Sequence, residues 1–240
     1  MSTSFTETGR PVATDTAATP SAVVDANPTT RWQFWALVVG SAIAAIGSGI
    51  VPAWGDGDVW SYQTLADDRG RVVLGALLAS PAMLVLVAGL PLLRRYAPSR
   101  GRAAVTAGLG MFAAGTALFA LGIASLLPLA IAARGELDPA AGAAFIDLAQ
   151  DEGTWETAPF FVGGLLLSAI GWVVFTIGAR RARTIATLPM IVLLVVGLAF
   201  VFAPPGWALG VTGAAMTVAL AWLGWRVVDE PARPRVTASA

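Results

Sequence analysis

Val72–Leu93 reads VVLGALLASPAMLVLVAGLPLL, twenty-two residues without a charge, entered from Arg71 and left at Arg94-Arg95. At about 1.5 Å of rise per residue, such a helix crosses the ~30 Å hydrocarbon core of a bilayer. In lipid it has to be helical, because each backbone N–H and C=O must find its partner within the segment. Five further stretches read alike: Trp32 to about Trp54, Ala103 to about Ala133, Ala158 to Ala179, about Ile185 to Ala203, and Pro205 to Val228. The Ala103–Ala133 stretch exceeds a span; it tilts, bends near Pro128, or runs past the membrane surface. The Ile185–Ala203 stretch is the shortest. Pro205 suits a first helical turn. With the interfacial ends set aside, no span holds Asp, Glu, Arg, Asn or Gln; Gln33 stands at the lip of the first.

The whole chain has the matching composition. Of its 240 residues 56% are hydrophobic and 12% charged, about half the charge of an ordinary soluble domain. The expected fold is therefore all-α: a polytopic integral membrane protein, a bundle of six transmembrane helices over residues 32–228. Residues 1–31, rich in Thr, Ala, Ser and Pro without hydrophobic periodicity, read as a disordered cytoplasmic tail. Residues 229–240 read as a second cytoplasmic tail. Cleavage of the first span near Ala42 or Ala45 is an alternative, disfavoured because a secretory apolar region is shorter.

The arginines orient the bundle. Arg10, Arg31, Arg94, Arg95, Arg100, Arg102, Arg180, Arg181, Arg183, Arg226, Arg233 and Arg235 fall on one side, against Arg69, Arg71 and Arg134 on the other. Positive loops stay in the cytoplasm, so both termini are expected there. Usage of Ala, Gly, Arg and Pro in place of Lys and Asn points to a GC-rich bacterial source, and so to a bacterial cytoplasmic (inner) membrane. Acidic residues gather on the outer side, where Asp138-Pro139 opens a short amphipathic helix ending near Gly153. Asp58–Asp67 reads as a weaker one, with Val59, Tyr62 and Ala66 on one face. Trp32, Trp35, Trp222 and Trp225 fall at inner helix ends, and Trp54, Trp60, Trp155 and Trp207 at outer ones, as interfacial anchors do. Trp172 alone sits within a span.

Absences narrow the chemistry. The chain has no His and no Cys, and all 15 basic residues are Arg. Thiolate and imidazole metal sites, haem ligation by them, cysteine nucleophiles, Ser-His-Asp triads and lysine Schiff bases are excluded. Zero formal charge offers nucleic acid nothing. No catalytic, cofactor-binding or metal-binding residue is expected, and no cofactor. The intramembrane hydroxyls are Ser41, Ser48, Ser80, Thr106, Thr116, Ser125, Ser168, Thr176, Thr212 and Thr217. Coupled ion carriers keep ionisable groups at this depth, and here there are none.

Three features remain open in their meaning. Ala36, Gly40, Ala44 and Ser48, then Gly164 and Ser168, then Gly213, Thr217 and Ala221 recur at intervals of four; small residues of this kind pack helices inside a bundle or form a homodimer seam. Ser80-Pro81 is a structural kink or the edge of a gate. Asp56 with Asp58, and Asp67 with Asp68, are solvated surface charge or ligands for a divalent cation.

Leu65-Ala66-Asp67-Asp68-Arg69-Gly70-Arg71 leading into the second span, and Gly178-Ala179-Arg180-Arg181 followed by Leu188-Pro189, give a layout that resembles uncharacterised six-helix bacterial membrane proteins of the domain-of-unknown-function type. The resemblance spans most of residues 32–203 and implies no activity. The expected role is non-catalytic: an accessory or scaffold subunit of a membrane assembly, whose partners are the lipid bilayer, other membrane proteins, or a second copy through small-residue helix faces. The alternative is a transporter or channel for a small neutral or apolar solute. Three spans plus three would allow an inverted repeat, with Ser41-Ala42-Ile43 matched by Ser168-Ala169-Ile170.

Overall fold

The computed structural model describes residues 28–52, 62–96, 101–132, 140–141, 144, 159–204 and 206–229. Among the described residues there are helices and no strands. They are α1 (Pro28–Ile50), α2 (Tyr62–Asp67), α3 (Arg69–Gly89), α4 (Arg102–Ala124), α5 (Leu126–Ala132), α6 (Gly164–Arg181), α7 (Thr187–Phe202) and α8 (Trp207–Asp229). A 3₁₀ turn, Leu90–Tyr96, extends α3, and a π-helical turn, Pro159–Gly163, leads into α6. Five of these are long and apolar enough to cross a membrane: α1, α3 with its extension, α4 with α5, α6 with its turn, and α8. The fold is that of a membrane-embedded helical protein.

The remaining expected span, about Ile185 to Ala203, is not among these five. α7 has 16 residues, about 24 Å of helix. It stops at Phe202 because Ala203 precedes Pro204, whose ring pushes the residue before it out of helical conformation; Ala203 is extended, with φ −69° and ψ 130°. α1 starts at Pro28, inside the stretch read as tail. Proline's fixed φ suits a first turn, and Thr30 is buried there, accepting a hydrogen bond from Arg95 at 2.9 Å. The long third stretch breaks at Ser125, between α4 and α5. Pro128 is the cause: it has no N–H for the Ala124 carbonyl, and its ring crowds that oxygen. α2 forms where the weaker loop helix was expected, with Leu65 buried against Val72 and Leu126. The helix expected over 138–153 lies outside the described residues except at Ala140, Ala141 and Ala144. Residues 1–27 and 230–240, Asp56, Asp58, Trp54, Trp60 and Trp155 also lie outside them.

Glycine decides which helices pair. α1 and α3 run antiparallel with Gly40 and Gly47 of one facing Gly75, Ala82 and Gly89 of the other. A Cβ on Gly40 would stand 2.6 Å from the Leu86 nitrogen and 2.9 Å from the Ala82 carbonyl oxygen. α4 and α6 repeat the arrangement. Gly108 and Gly115 oppose Gly171 and Gly164, and a Cβ on Gly164 would stand 2.7 Å from the Phe119 nitrogen. At such contacts the backbones themselves touch, which in lipid replaces the hydrophobic effect as the adhesive. α8 lies antiparallel on α1 through Gly213 against Ala45 and Gly210 against Gly49.

The remaining contacts close a ring. In order around it stand α8, α1, α3, α4, α6 and α7, and α7 returns to α8. Arg31, Arg94, Arg95, Arg102, Arg180, Arg181, Arg183 and Arg226 mark one end of the bundle; Arg69 and Arg71 mark the other. At the arginine-rich end the interior is filled by large side chains, among them Leu37, Leu93, Tyr96, Phe175, Leu220 and Leu223. The Tyr96 hydroxyl donates to the Leu223 carbonyl at 2.8 Å.

Candidate functional site: a cavity on the bundle axis

At mid-depth the ring does not close completely. All six of its helices border a space of about 40 Å³ on the axis, room for no more than a few waters. Ser41 and Ser48 from α1, Thr116 from α4 and Ser168 from α6 reach it. The space exists because these positions are small: the glycine pairing brings the backbones close, and serine or threonine on the inward faces leaves a gap that leucine would fill. Four hydroxyls scattered over three helices thus come together. The matched triplets Ser41-Ala42-Ile43 and Ser168-Ala169-Ile170 both deliver their serine here. The tight pairs do not divide three plus three, however; α8, the last helix, packs on α1, the first.

Towards the arginine-poor end a second cavity follows, of about 340 Å³. It shares Ser48, Phe119 and Leu165 with the first. Its far wall is the end of α7 and the extended Ala203-Pro204, so it occupies the region where α7 gives out. Among the described residues that border it, all but Ser48 present aliphatic or aromatic side chains. Val162 and Phe202, which border it, are exposed on the bundle surface.

The hydroxyls differ in what they bond. Ser41 donates to the Val38 carbonyl at 3.0 Å, Thr212 to the Ala208 carbonyl at 2.9 Å, and Thr217 to the Gly213 carbonyl at 2.9 Å. Thr176 bonds to Trp172 and Val173 carbonyls of its own helix. Such back-bonding is how a hydroxyl is satisfied in a helix within lipid. Ser48 departs from this. It is 2% exposed, and its Oγ has no hydrogen-bond partner among the described residues.

Ser80 does not line either cavity. Its hydroxyl donates to the Ala120 carbonyl of α4 at 2.8 Å, and α3 continues unbroken through Pro81. The Ser80-Pro81 step ties α3 to α4. Asp68 is taken up by Arg71, at 3.1 Å on the exposed surface; Asp67 is exposed. Among the described residues, no three Asp or Glu side chains gather where they could hold a cation. The four-residue stripes turn out to be composite. On α1, Gly40 faces α3 while Ala44 and Ser48 face the axis. The sequence signal that marks the helix pairs is seven-residue spacing: Gly40-Gly47, Gly75-Ala82-Gly89, Gly101-Gly108-Gly115-Gly122 and Gly164-Gly171-Gly178. A seven-residue repeat returns to the same face of a helix that winds around a neighbour.

No protein-family model matches the chain, and neither does any curated protein or solved structure.

Proposed function

We propose that the protein is a non-catalytic membrane subunit of accessory or scaffold type, six-spanning, with both termini cytoplasmic in a bacterial cell membrane. The six-span reading draws on connectivity: α6 ends at the arginine-rich end and α8 starts at the other, so the stretch holding α7 runs between them. The observation that carries the accessory role is on α4. Ala103, Ala107, Gly110 and Ala114 lie along one exposed stripe of that helix, and a Cβ on Gly110 would meet nothing within 4 Å. Every glycine of the paired faces is met by another helix of this chain, whereas this stripe, of the same small-residue kind, is left uncovered. In lipid such a face accommodates a close-approaching partner helix.

The native chain has no cysteine, which makes the test clean. Single cysteines at Gly110, and at Val39 as a lipid-facing control, are introduced and oxidised in native membranes. A disulfide-linked copy or a photocrosslinked partner recovered at Gly110 but not at Val39 supports the reading. Equal yields at both positions would remove it. The carrier reading for a small neutral or apolar solute is favoured by the two neighbouring cavities, which share Ser48, Phe119 and Leu165 and lie in sequence from a mid-depth hydroxyl cluster toward one end of the bundle.

A further inference from the structure

We infer that the 340 Å³ cavity is a binding site for a neutral, single-headed amphiphile drawn from the bilayer: an apolar body ending in one uncharged hydrogen-bonding group such as a hydroxyl or carbonyl. The inference assumes membrane embedding but neither the accessory nor the carrier role. Three observations lead to it.

The first is the wall. Val51, Ile123, Leu126, Phe161, Leu165 and Leu209 present hydrocarbon to the space. An ionised head brought among them would lose its hydration without gaining a counter-charge, at a cost that excludes it. An apolar body, by contrast, gains contact with a surface already shaped for it. The volume accepts roughly ten water- or methylene-sized groups, at ~30 Å³ each.

The second is Ser48. It borders the cavity at its deep end, and its buried Oγ lacks a partner. A buried unsatisfied hydroxyl is costly, whereas Ser41, Thr212 and Thr217 avoid that cost by bonding their own helices. The Oγ is covered as it stands, so binding requires a rotation about χ1 that would bring the hydroxyl to a ligand oxygen, either donating to it or accepting from it. One hydroxyl in a wall whose other described side chains are apolar selects one polar group and fixes which end of the ligand enters first.

The third is the approach. Val162 and Phe202 border the cavity and are also exposed on the lipid-facing surface. A molecule dissolved in the bilayer therefore enters sideways, between the π-helical turn and the end of α7, head first toward Ser48.

The test uses the full chain reconstituted in phosphatidylcholine liposomes and three ten-carbon probes carrying a diazirine at the tail: decanol, decane and decanoate. Decanol should label the residues around Phe161, Val162 and Phe202 saturably, and unlabelled decanol should compete. Decane should label these positions about three- to tenfold less than decanol, for want of the same hydrogen bond, and decanoate only at the background level seen on the lipid-facing side of α8. Ser48→Ala should weaken decanol labelling about three- to tenfold, the fold-change of one neutral hydrogen bond, and Leu209→Trp should abolish it by filling the space. Equal labelling by decanol and decane would show a merely apolar crevice and overturn the role of Ser48. Strong labelling by decanoate would overturn the requirement for neutrality. Non-saturable labelling by every probe would overturn the site. These comparisons on the wild-type chain decide the matter even if a variant fails to fold. Loss of the Gly110 crosslink would leave them untouched.

Discussion

The indole N–H of Trp172 donates to the Leu193 carbonyl at 2.7 Å, across the interface between α6 and α7. Trp172 is 1% exposed, and Gly197, one turn beyond Leu193, is what lets it in. A Cβ on Gly197 would run into the indole ring at Cδ1 and Nε1. Trp172, away from the helix ends, is therefore a clasp for the most peripheral helix. α7 buries only Leu193 and Gly197, so this contact carries much of its attachment.

Trp172→Phe should keep the ring packing against Phe112 and Phe175 while losing the hydrogen bond. We expect a loss of about 1 kcal/mol, the net worth of such a bond. Gly197→Ala should cost more, about 1–3 kcal/mol, because ring and methyl cannot share the space. Thermal unfolding in detergent micelles checks both, and protease accessibility of the segment after α7 should rise in step. Unchanged melting for Gly197→Ala would show that α7 is not held here.

The glycine-paired helices make a sharper claim. Gly40→Ala and Gly171→Ala should each destabilise the bundle by about 1–3 kcal/mol, since even a methyl meets backbone atoms of the opposite helix. Val39→Leu, on an exposed position of α1, should be neutral within ~0.5 kcal/mol. Ala44→Leu tests a different thing: it intrudes on the small axial space and not on a helix pair. Equal tolerance at Gly40 and Val39 would sink the pairing.

Arg183 adopts φ 58° in the turn after α6, the left-handed conformation that glycine takes most readily. Its N–H bonds to the Arg180 carbonyl at 2.9 Å, and the Thr184 N–H to the Ala179 carbonyl at 3.2 Å, closing the helix in the manner of a Schellman cap. Arg183→Gly should hold stability or raise it by up to ~1 kcal/mol. Arg183→Val should lower it by about 1–2 kcal/mol, because a β-branched side chain is strained there. In melting curves, Arg183→Gly should fall at or above the native chain and Arg183→Val below it.

Topology can be read directly. Reporter fusions at the C-terminus and after Pro98 should be cytoplasmic, and one after Thr154 external, as the twelve-to-three distribution of arginine requires. An external C-terminus would mean that the stretch holding α7 does not cross.

Much of this protein was legible in its sequence. The five long apolar helices, the arginine at their ends and the break near Pro128 follow from local rules: hydrocarbon needs a helix of a certain length, and proline removes a hydrogen bond wherever it stands. The early end of α7 was legible in principle too, in Ala203-Pro204. Residue Pro28 was read as tail because it lies ahead of the apolar run, although proline is at home in a first turn. What the chain alone did not disclose is which faces meet. Ser80-Pro81 read as a structural kink or the edge of a gate, and the acceptor of Ser80 on Ala120 was not legible; Ser48 looked like any other hydroxyl in lipid. Only the tertiary structure, by pressing α1 on α3 and α4 on α6 until glycine touches backbone, decides that Ser41, Ser48, Thr116 and Ser168 share one space. The physical reason is that burial in lipid is nearly uniform along every span, so hydrophobicity marks the helices but not their partners. Partnership rests on shape, and shape is a property of two surfaces at once.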